Sequence, residues 1–293
     1  MPLPEWTILS ILEWTTGYFR KFNIDTPRLD AEILLAHSLG LRRIDLYLRY
    51  DQPLGANELT AFKKIVKRRA AREPVAYILG RREFWGLDLL VDSNVLTPRP
   101  ETERVVEVAL AYLAEIADGD SAPVVMDLGT GSGCIALALA HDCPMARVVA
   151  TDSSPPALMV ARRNIENQQM ADRIQLVAGS DLTMFDPFSG CFDLIVANPP
   201  YIPSAAIASL EPEVRDYEPR RALDGGEDGL AAYRRIIPEA ATRLRAGGAL
   251  VFEIGWDQGA AVAQLAERSG LYRDRQCVMD YSGHDRVMRM IRI

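Results

Sequence analysis

The sequence predicts an α/β fold, an open and mostly parallel sheet, preceded by a helical region. Three observations predict it. Residues 124–126 form a short apolar run that enters a glycine-rich turn, Asp127 to Gly133, and then an apolar helical stretch at 134–140. Strand, glycine turn, helix is the opening of nucleotide-binding α/β domains. Three later apolar runs each end on polar residues: 147–151 at Asp152, 174–179 at Ser180 and Asp181, and 192–197 at Asn198. Residues 1–72, in contrast, carry apolar positions at helical spacing.

Taken in order, Leu29, Ile33, Ala36 and Leu39 predict a helix ended by Gly40. Leu59, Phe62, Val66 and Ala70 predict another. Lys63, Lys64, Lys67, Arg68, Arg69 and Arg72 cluster on that second helix, as a solvated face or a docking face for an acidic protein partner. Residues 83–97 predict a two-stranded hairpin in which Phe84 and Trp85 pack. Residues 98–103 predict a helix start, with proline early and acids in the first turn. Beyond residue 229 the expected elements are a helix at 230–244 despite Pro238, a strand at 248–254 and a helix at 259–267. Strands at 275–281 and 286–293, joined by Ser282, Gly283, His284 and Asp285, then close the sheet. The resulting domains are a helical docking region at 1–75, a β-hairpin linker at 76–98 and a catalytic domain at 99–293.

A chain of 293 residues has room for about two domains. Its net charge is −7, divided as +3 over residues 1–75 and −10 over the rest. DNA binding normally needs an excess of Lys and Arg to neutralise phosphates, so no direct nucleic-acid partner is expected. No apolar run is long enough to span a bilayer, and residues 1–5 lack the basic start of a secretory signal. Four cysteines (Cys134, Cys143, Cys191 and Cys277) show no paired metal spacing; no metal is expected, and free thiols fit a reducing, cytoplasmic setting.

The chemistry concentrates after the run at 192–197, in Asn198, Pro199, Pro200 and Tyr201. Consecutive prolines stop the strand and hold Asn198 extended. A side-chain acceptor, a fixed carbonyl and a π-surface suit a planar NH2 group, of an amide or of a base. Ligands of open α/β sheets bind beyond the carboxyl ends of the strands. The glycine turn, Asp152, Asp181 and Asn198 are therefore expected to line one crevice. Asp152 lies nineteen residues beyond Gly133, where an acid grips ribose hydroxyls. No Lys or Arg lies between Asp127 and His141, which suits a sulfonium ligand, S-adenosylmethionine, better than a pyrophosphate.

These residues resemble a known family. DLGTGSG at 127–133 is similar to the cofactor motif of class I methyltransferases, and NPPY at 198–201 to the signature of amino-methylating members. EPVAYILG at 73–80, EFWGL at 83–87, LTPRPETE at 96–103 and EPRRALDGGEDGL at 218–230 complete the pattern. In that order the motifs resemble the release factor glutamine methyltransferases, the PrmC or HemK family. The resemblance implies a seven-stranded class I methyltransferase sheet with its last strand antiparallel. It implies S-adenosylmethionine contacts at Gly129, Thr130, Gly131, Ser132, Gly133, Asp152 and Asn198, with S-adenosylhomocysteine as product. Leu182 stands where some relatives carry an aromatic residue beside the adenine. The resemblance places residues 98–103 near the cofactor. The implied substrate is the glutamine of the GGQ motif in class 1 peptide chain release factors, held by Asn198, Pro199, Pro200 and Tyr201.

Methylating an amide nitrogen needs its lone pair freed from the carbonyl. Two hydrogen bonds to its protons, accepted by the Asn198 side-chain oxygen and the Pro199 carbonyl, would do this, with Tyr201 stacked on the amide plane. No strong general base is required, and His37, His141 and His284 are assigned no role. The alternatives are N5-methylation of a ribosomal-protein glutamine, adenine-N6 methylation of DNA and a non-enzymatic nucleotide-binding adaptor. The PRPETE segment favours release factors over ribosomal protein, and the acidic charge disfavours DNA.

Overall fold

The computed structural model describes residues 6–117, 122–179, 182 and 190–293. Along the chain run α1 (Ile8–Arg20), α2 (Pro27–Leu39), α3 (Arg43–Leu48), α4 (Ala56–Ala70) and α5 (Val75–Leu79). Then come β1 (Arg81–Phe84), β2 (Leu87–Leu90), α6 (Glu103–Glu115), β3 (Val124–Leu128), α7 (Cys134–Asp142), β4 (Arg147–Asp152), α8 (Pro155–Asn167) and β5 (Ile174–Ala178). The chain closes with β6 (Phe192–Ala197), α9 (Pro212–Tyr217), α10 (Ala231–Arg243), β7 (Leu244–Glu253), α11 (Gly259–Ser269), β8 (Tyr272–Met279) and β9 (Asp285–Arg292). These elements form two compact units. One is Met1–Gly80 together with Glu211–Tyr217; the other is Arg81–Leu210 with Glu218–Ile293. The hairpin β1–β2 thus belongs to the sheet-bearing unit, and α9 belongs to the helical one.

In the helical unit, α1 opens on a reciprocal cap. Thr7 Oγ1 accepts the Ser10 N–H, and Ser10 Oγ accepts the Thr7 N–H, so two otherwise orphaned donors are satisfied. Helix α2 ends at Gly40 in the left-handed conformation, as the sequence predicts. Its buried face is Ala31, Leu34, Leu35 and Ala36, whereas Leu29 is exposed. The expected stripe is displaced because α2 is apolar around much of its circumference. Spacing then selects no single face.

The predicted face of α4 is buried at Phe62, Val66 and Ala70. Its arginines are engaged within the unit. Arg69 is buried and donates to Asp30 (2.7 Å) and Glu213 (2.8 Å). Arg72 donates to both carboxylate oxygens of Glu213 and to Glu211, and Arg68 pairs with Glu73. For Arg69 and Arg72 the acidic partner includes the chain's own segment at α9, while Lys63, Lys64, Lys67 and the Glu73-paired Arg68 are the exposed cations of that helix.

The second unit carries a seven-stranded sheet in the order β5-β4-β3-β6-β7-β9-β8. Strands β3 to β7 pair in parallel, and β9 runs antiparallel between β7 and β8. Alternate residues point to opposite faces, and two apolar clusters follow. Val125, Leu194, Val196 and Val251 join α6 and α7 on one face. Met126, Ile195, Leu250 and Phe252 join α10 and α11 on the other. Near-continuous apolar strands are what a sheet covered on both faces requires. Pro238 sits on the exposed side of α10, so the carbonyl it leaves unpaired can be hydrated. Trp85 and Gly86 both have positive φ, the two-residue turn that matches strand twist. The hairpin is therefore tighter, and begins earlier, than the predicted 83–97. Phe84 is buried in the first cluster.

Candidate active site

The glycine turn is held from below. The Gly129 and Thr130 N–H groups donate to the Thr151 carbonyl at 2.9 and 2.8 Å, and the Gly131 N–H donates to Asp152 Oδ2 at 2.9 Å. Gly129, Gly131 and Gly133 all adopt positive φ, and a side chain at Gly129 or Gly131 would meet no protein atom. The backbone therefore needs glycine, and the wall it forms is flat and open. Asp152 also accepts the Ser154 N–H at 2.8 Å. Its two oxygens are oriented by backbone donors and keep lone pairs for a further ligand.

Asp127 lies behind the turn and is buried. Its Oδ2 accepts from Thr130 Oγ1 (2.6 Å) and the Ala136 N–H (3.2 Å), tying the turn to α7. Its Oδ1 has no donor among the described residues. Burial pushes the Asp127 carboxyl up to about 7, against those two hydrogen bonds. The adjacent helix position, Cys134, is pushed up to about 12, chiefly by burial, so its thiol stays protonated. Asn164 of α8 is also buried. It accepts the Leu90 N–H (2.7 Å), donates to the Leu90 carbonyl (2.9 Å) and donates to the Ser132 carbonyl (2.8 Å). One amide thereby joins the end of the hairpin to the glycine turn.

At the end of β6, the segment from Tyr201 to Ser204 is clamped by residues 223–229. Ile202 and Leu223, Gly225 and Ile202, and Ser204 and Gly226 share backbone hydrogen bonds of 2.8–3.0 Å. A Cβ at Gly229 would lie 2.4 Å from the Tyr201 carbonyl oxygen, and one at Gly225 would lie 2.8 Å from Tyr201 Cα. These glycines permit the close approach. Gln258 completes the clamp, donating from Nε2 to the Tyr201 carbonyl at 3.0 Å.

The side chains of this segment are tied together through a buried acid. Asn198 Nδ2 donates to Thr102 Oγ1 (3.0 Å), and Thr102 Oγ1 donates to Glu253 Oε2 (2.6 Å). The Tyr201 hydroxyl donates to Glu253 Oε1 (3.1 Å). Burial pushes the Glu253 carboxyl above its ordinary range, with the Thr102 hydrogen bond, the Arg286 charge and the Tyr201 hydrogen bond opposing. Burial likewise raises Tyr201, so its phenol keeps its proton. Nearby, Arg99 donates to Glu218 at 2.6 Å; burial raises Glu218 despite the Arg99 charge.

One open cleft unites the sheet-end residues. Gly129, Thr130, Gly131, Ser132, Asp152, Asn198, Pro199 and Pro200 line it, with Arg99, Thr102 and Gly179. Gly133 sits behind them as the N-cap of α7. Tyr201 does not line the cleft; its ring packs against the second apolar cluster and its hydroxyl is turned to Glu253. Leu182 is buried in that same cluster rather than placed on the cleft wall. Asp181 lies outside the described residues. The expectation drawn from the absence of Lys and Arg around the turn also needs correction. The turn itself carries no cation, but Arg99, Arg221 and Arg235 reach the same cleft from later or earlier segments. Thr102, Asn164, Glu218, Glu253 and Gln258 were not singled out from the sequence as site residues. Glu253 did leave a signal, a lone acid ending the apolar run from Leu250 to Phe252.

Comparison with known proteins agrees with this architecture. Residues 10–80 match the PrmC N-terminal domain and residues 103–210 the methyltransferase small domain. A release factor glutamine methyltransferase of Geobacter sulfurreducens is 47% identical over 287 residues, covering 97% of each chain. One of Chlorobaculum tepidum is 45% identical over 290 residues, covering 97% of this chain and 98% of its own. Among solved structures, the catalytic domain of human METTL16 superposes with a TM-score of 0.58 at 18% identity, covering 77% of this chain and 81% of that one. A methyltransferase from Pyrococcus furiosus gives 0.51 at 20% identity, covering 70% and 89%. The structural likenesses speak for the class I methyltransferase fold alone. The near-complete alignment with the curated relatives goes further: this chain belongs to the release factor glutamine methyltransferase family.

Proposed function

We propose that the chain transfers a methyl group from S-adenosylmethionine to the side-chain amide nitrogen of the glutamine in the GGQ motif of class 1 peptide chain release factors, in the cytoplasm. The observation that carries the reading is that Asn198, Pro199 and Pro200 share one cleft with the glycine turn and Asp152. An acceptor for amide protons and a seat for a nucleoside thus meet at the ends of adjacent strands.

The residues present fit S-adenosylmethionine. Asp152 keeps lone pairs for ribose hydroxyls, the turn offers a flat backbone wall, and Asp127 brings an unpaired buried oxygen behind it. Arg221 and Arg235 line the cleft and suit the ligand's carboxylate. When bound, the cofactor supplies an electrophilic methyl on a positive sulfur. The chain's residues supply position. Asn198 commits its NH2 to Thr102, and among the described residues nothing donates to its Oδ1 or to the Pro199 carbonyl. Two acceptors are thereby left for the two protons of a substrate amide. Holding those protons localises the nitrogen lone pair and aims it; such positioning accounts for roughly 7–11 kcal/mol at best in model reactions. Tyr201, anchored to Glu253 and Gln258, holds the backbone that carries these acceptors rather than offering its face to the amide.

The test is purified protein with methyl-labelled S-adenosylmethionine, offered release factor, ribosomal protein and DNA in parallel. Label on the GGQ glutamine is expected; label confined to ribosomal protein or DNA refutes the substrate. Asn198→Ala is expected to lower turnover far more than cofactor affinity.

A further inference from the structure

Asn198 is useful to an amide substrate in only one of its two orientations. With Oδ1 toward the cleft it accepts a proton from the substrate NH2. Rotated by half a turn, it presents its own NH2 to the substrate's, and donor meets donor. The side chain is planar and nearly symmetrical in shape, so packing alone distinguishes the two poorly; hydrogen-bond polarity must decide.

We propose that Thr102 and Glu253 are positioning residues that set this polarity. Glu253 ends β7 and Thr102 ends the helical turn Pro100–Thr102, and both are buried. Burial opposes the charge of Glu253, and the Arg286 charge and the two hydroxyls favour it. As a carboxylate Glu253 can only accept, and it takes the hydroxyl protons of Thr102 and Tyr201, at 2.6 and 3.1 Å. A threonine hydroxyl has one proton. Having given it to Glu253, Thr102 Oγ1 can only accept, and the group it faces at 3.0 Å must be the NH2 end of Asn198. The carbonyl end is thereby released to the cleft that Asn198 lines. A charge with no contact to Asn198 thus dictates, through one intervening hydroxyl, which end of the amide the substrate meets. The opposite rotamer would set the Asn198 oxygen against an oxygen that has no proton left to give. A buried pair left unsatisfied in this way is disfavoured about tenfold or more. The charged groups that act on Glu253 are Arg286 and Glu101, and the Tyr233 phenol and Cys134 thiol also feel its charge.

The role for the substrate rests on the proposed glutamine methylation; the orientation of Asn198 does not, and the two are tested apart. Thr102→Val keeps shape and removes the relay, whereas Thr102→Ser keeps the hydroxyl. Thr102→Val is expected to lower kcat about tenfold or more. The calorimetric Kd for S-adenosylmethionine should stay near wild type, and Thr102→Ser should retain most of the wild-type kcat. Equal loss in both variants would reveal a packing role and overturn the relay, as would wild-type kcat in Thr102→Val or a loss confined to cofactor affinity. A second measurement uses the wild-type chain alone, so a variant that fails to fold leaves the proposal testable. With 15N-labelled asparagine, one Asn198 side-chain proton should exchange slowly while its twin exchanges fast. Fast exchange of both refutes the relay. Protection of that proton in a wild-type protein that leaves release factor unlabelled would refute the substrate and leave the relay standing.

Discussion

Arg69 and Glu213, 144 residues apart in sequence, meet at 2.8 Å through Nη2 and Oε1. The same guanidinium holds Asp30 at 2.7 Å. A short segment that follows the NPPY motif is thereby fastened inside the helical unit by a buried cation shared between two acids. Removing one partner of a buried pair costs more than the pair contributes, since the remaining charges lose their compensation. Arg69→Ala is expected to destabilise the helical unit by about 3–5 kcal/mol, read from urea unfolding. Burial alone would raise Glu213, but hydrogen bonds from Arg72 and Arg69 hold it below the usual carboxylate range. Its contribution is complete above the ordinary value of 4.5 and fades as pH falls through the lowered folded value. The gap between wild type and Glu213→Gln should narrow on acidification; a constant gap would contradict the pairing.

Asp127 predicts the opposite slope. Its folded value, about 7, lies above the ordinary 3.8. The folded state therefore holds this proton more tightly than the unfolded state. Stability from that proton is complete below 3.8 and is lost as pH rises toward about 7, each unit being worth about 1.4 kcal/mol. Asp127→Asn keeps an oxygen for Thr130 and Ala136 and removes the ionisation. Thermal melting of the ligand-free protein should fall less steeply between about pH 4 and about pH 7 in the variant than in wild type. Parallel slopes would contradict the burial argument.

Gly229→Ala places a methyl 2.4 Å from the Tyr201 carbonyl at a backbone φ of +76. Something must shift, either the Tyr201 carbonyl on the backbone that follows Asn198 or the Gln258 amide at 2.7 Å that holds that carbonyl. Overpacking of this kind costs roughly 1–3 kcal/mol. Turnover is expected to fall with cofactor affinity nearly intact, because the glycine turn is held by separate bonds to Thr151 and Asp152. Steady-state kinetics beside cofactor calorimetry checks the split.

Asn164→Leu should do the reverse. It removes three hydrogen bonds and leaves the Leu90 and Ser132 groups without this partner. The buried Ser132 carbonyl left without a donor costs about 1–3 kcal/mol, and the exposed Leu90 groups can turn to water. Weaker cofactor binding and a lower melting temperature are expected, with the larger kinetic change in the Michaelis constant for the cofactor. An unaltered cofactor affinity would show that the glycine turn keeps its shape without this tie.

Much of this was legible in the chain because it is local chemistry. Apolar runs of strand length, the glycine turn and the polar residue at each strand end are neighbours in sequence, and the backbone rules that govern them act over a few residues. The strand ends at Asp152 and Asn198 and the antiparallel close of the sheet followed from those rules and from the family's motifs. The displaced stripe of α2 shows the limit: where apolar residues surround a helix, only the partner surface selects a face.

Sequence by itself determined the strands of the sheet, their order and the residues able to act as acceptors at the end of β6. Tertiary structure alone decided what those acceptors rest on. Thr102, Asn198, Tyr201 and Glu253 come from three separated segments, and Asn164 meets a strand end 74 residues away. A buried polar group declares its partner only when packing has excluded water and left one donor within reach of one acceptor. That condition is a property of the folded interior, and no spacing along the chain encodes it.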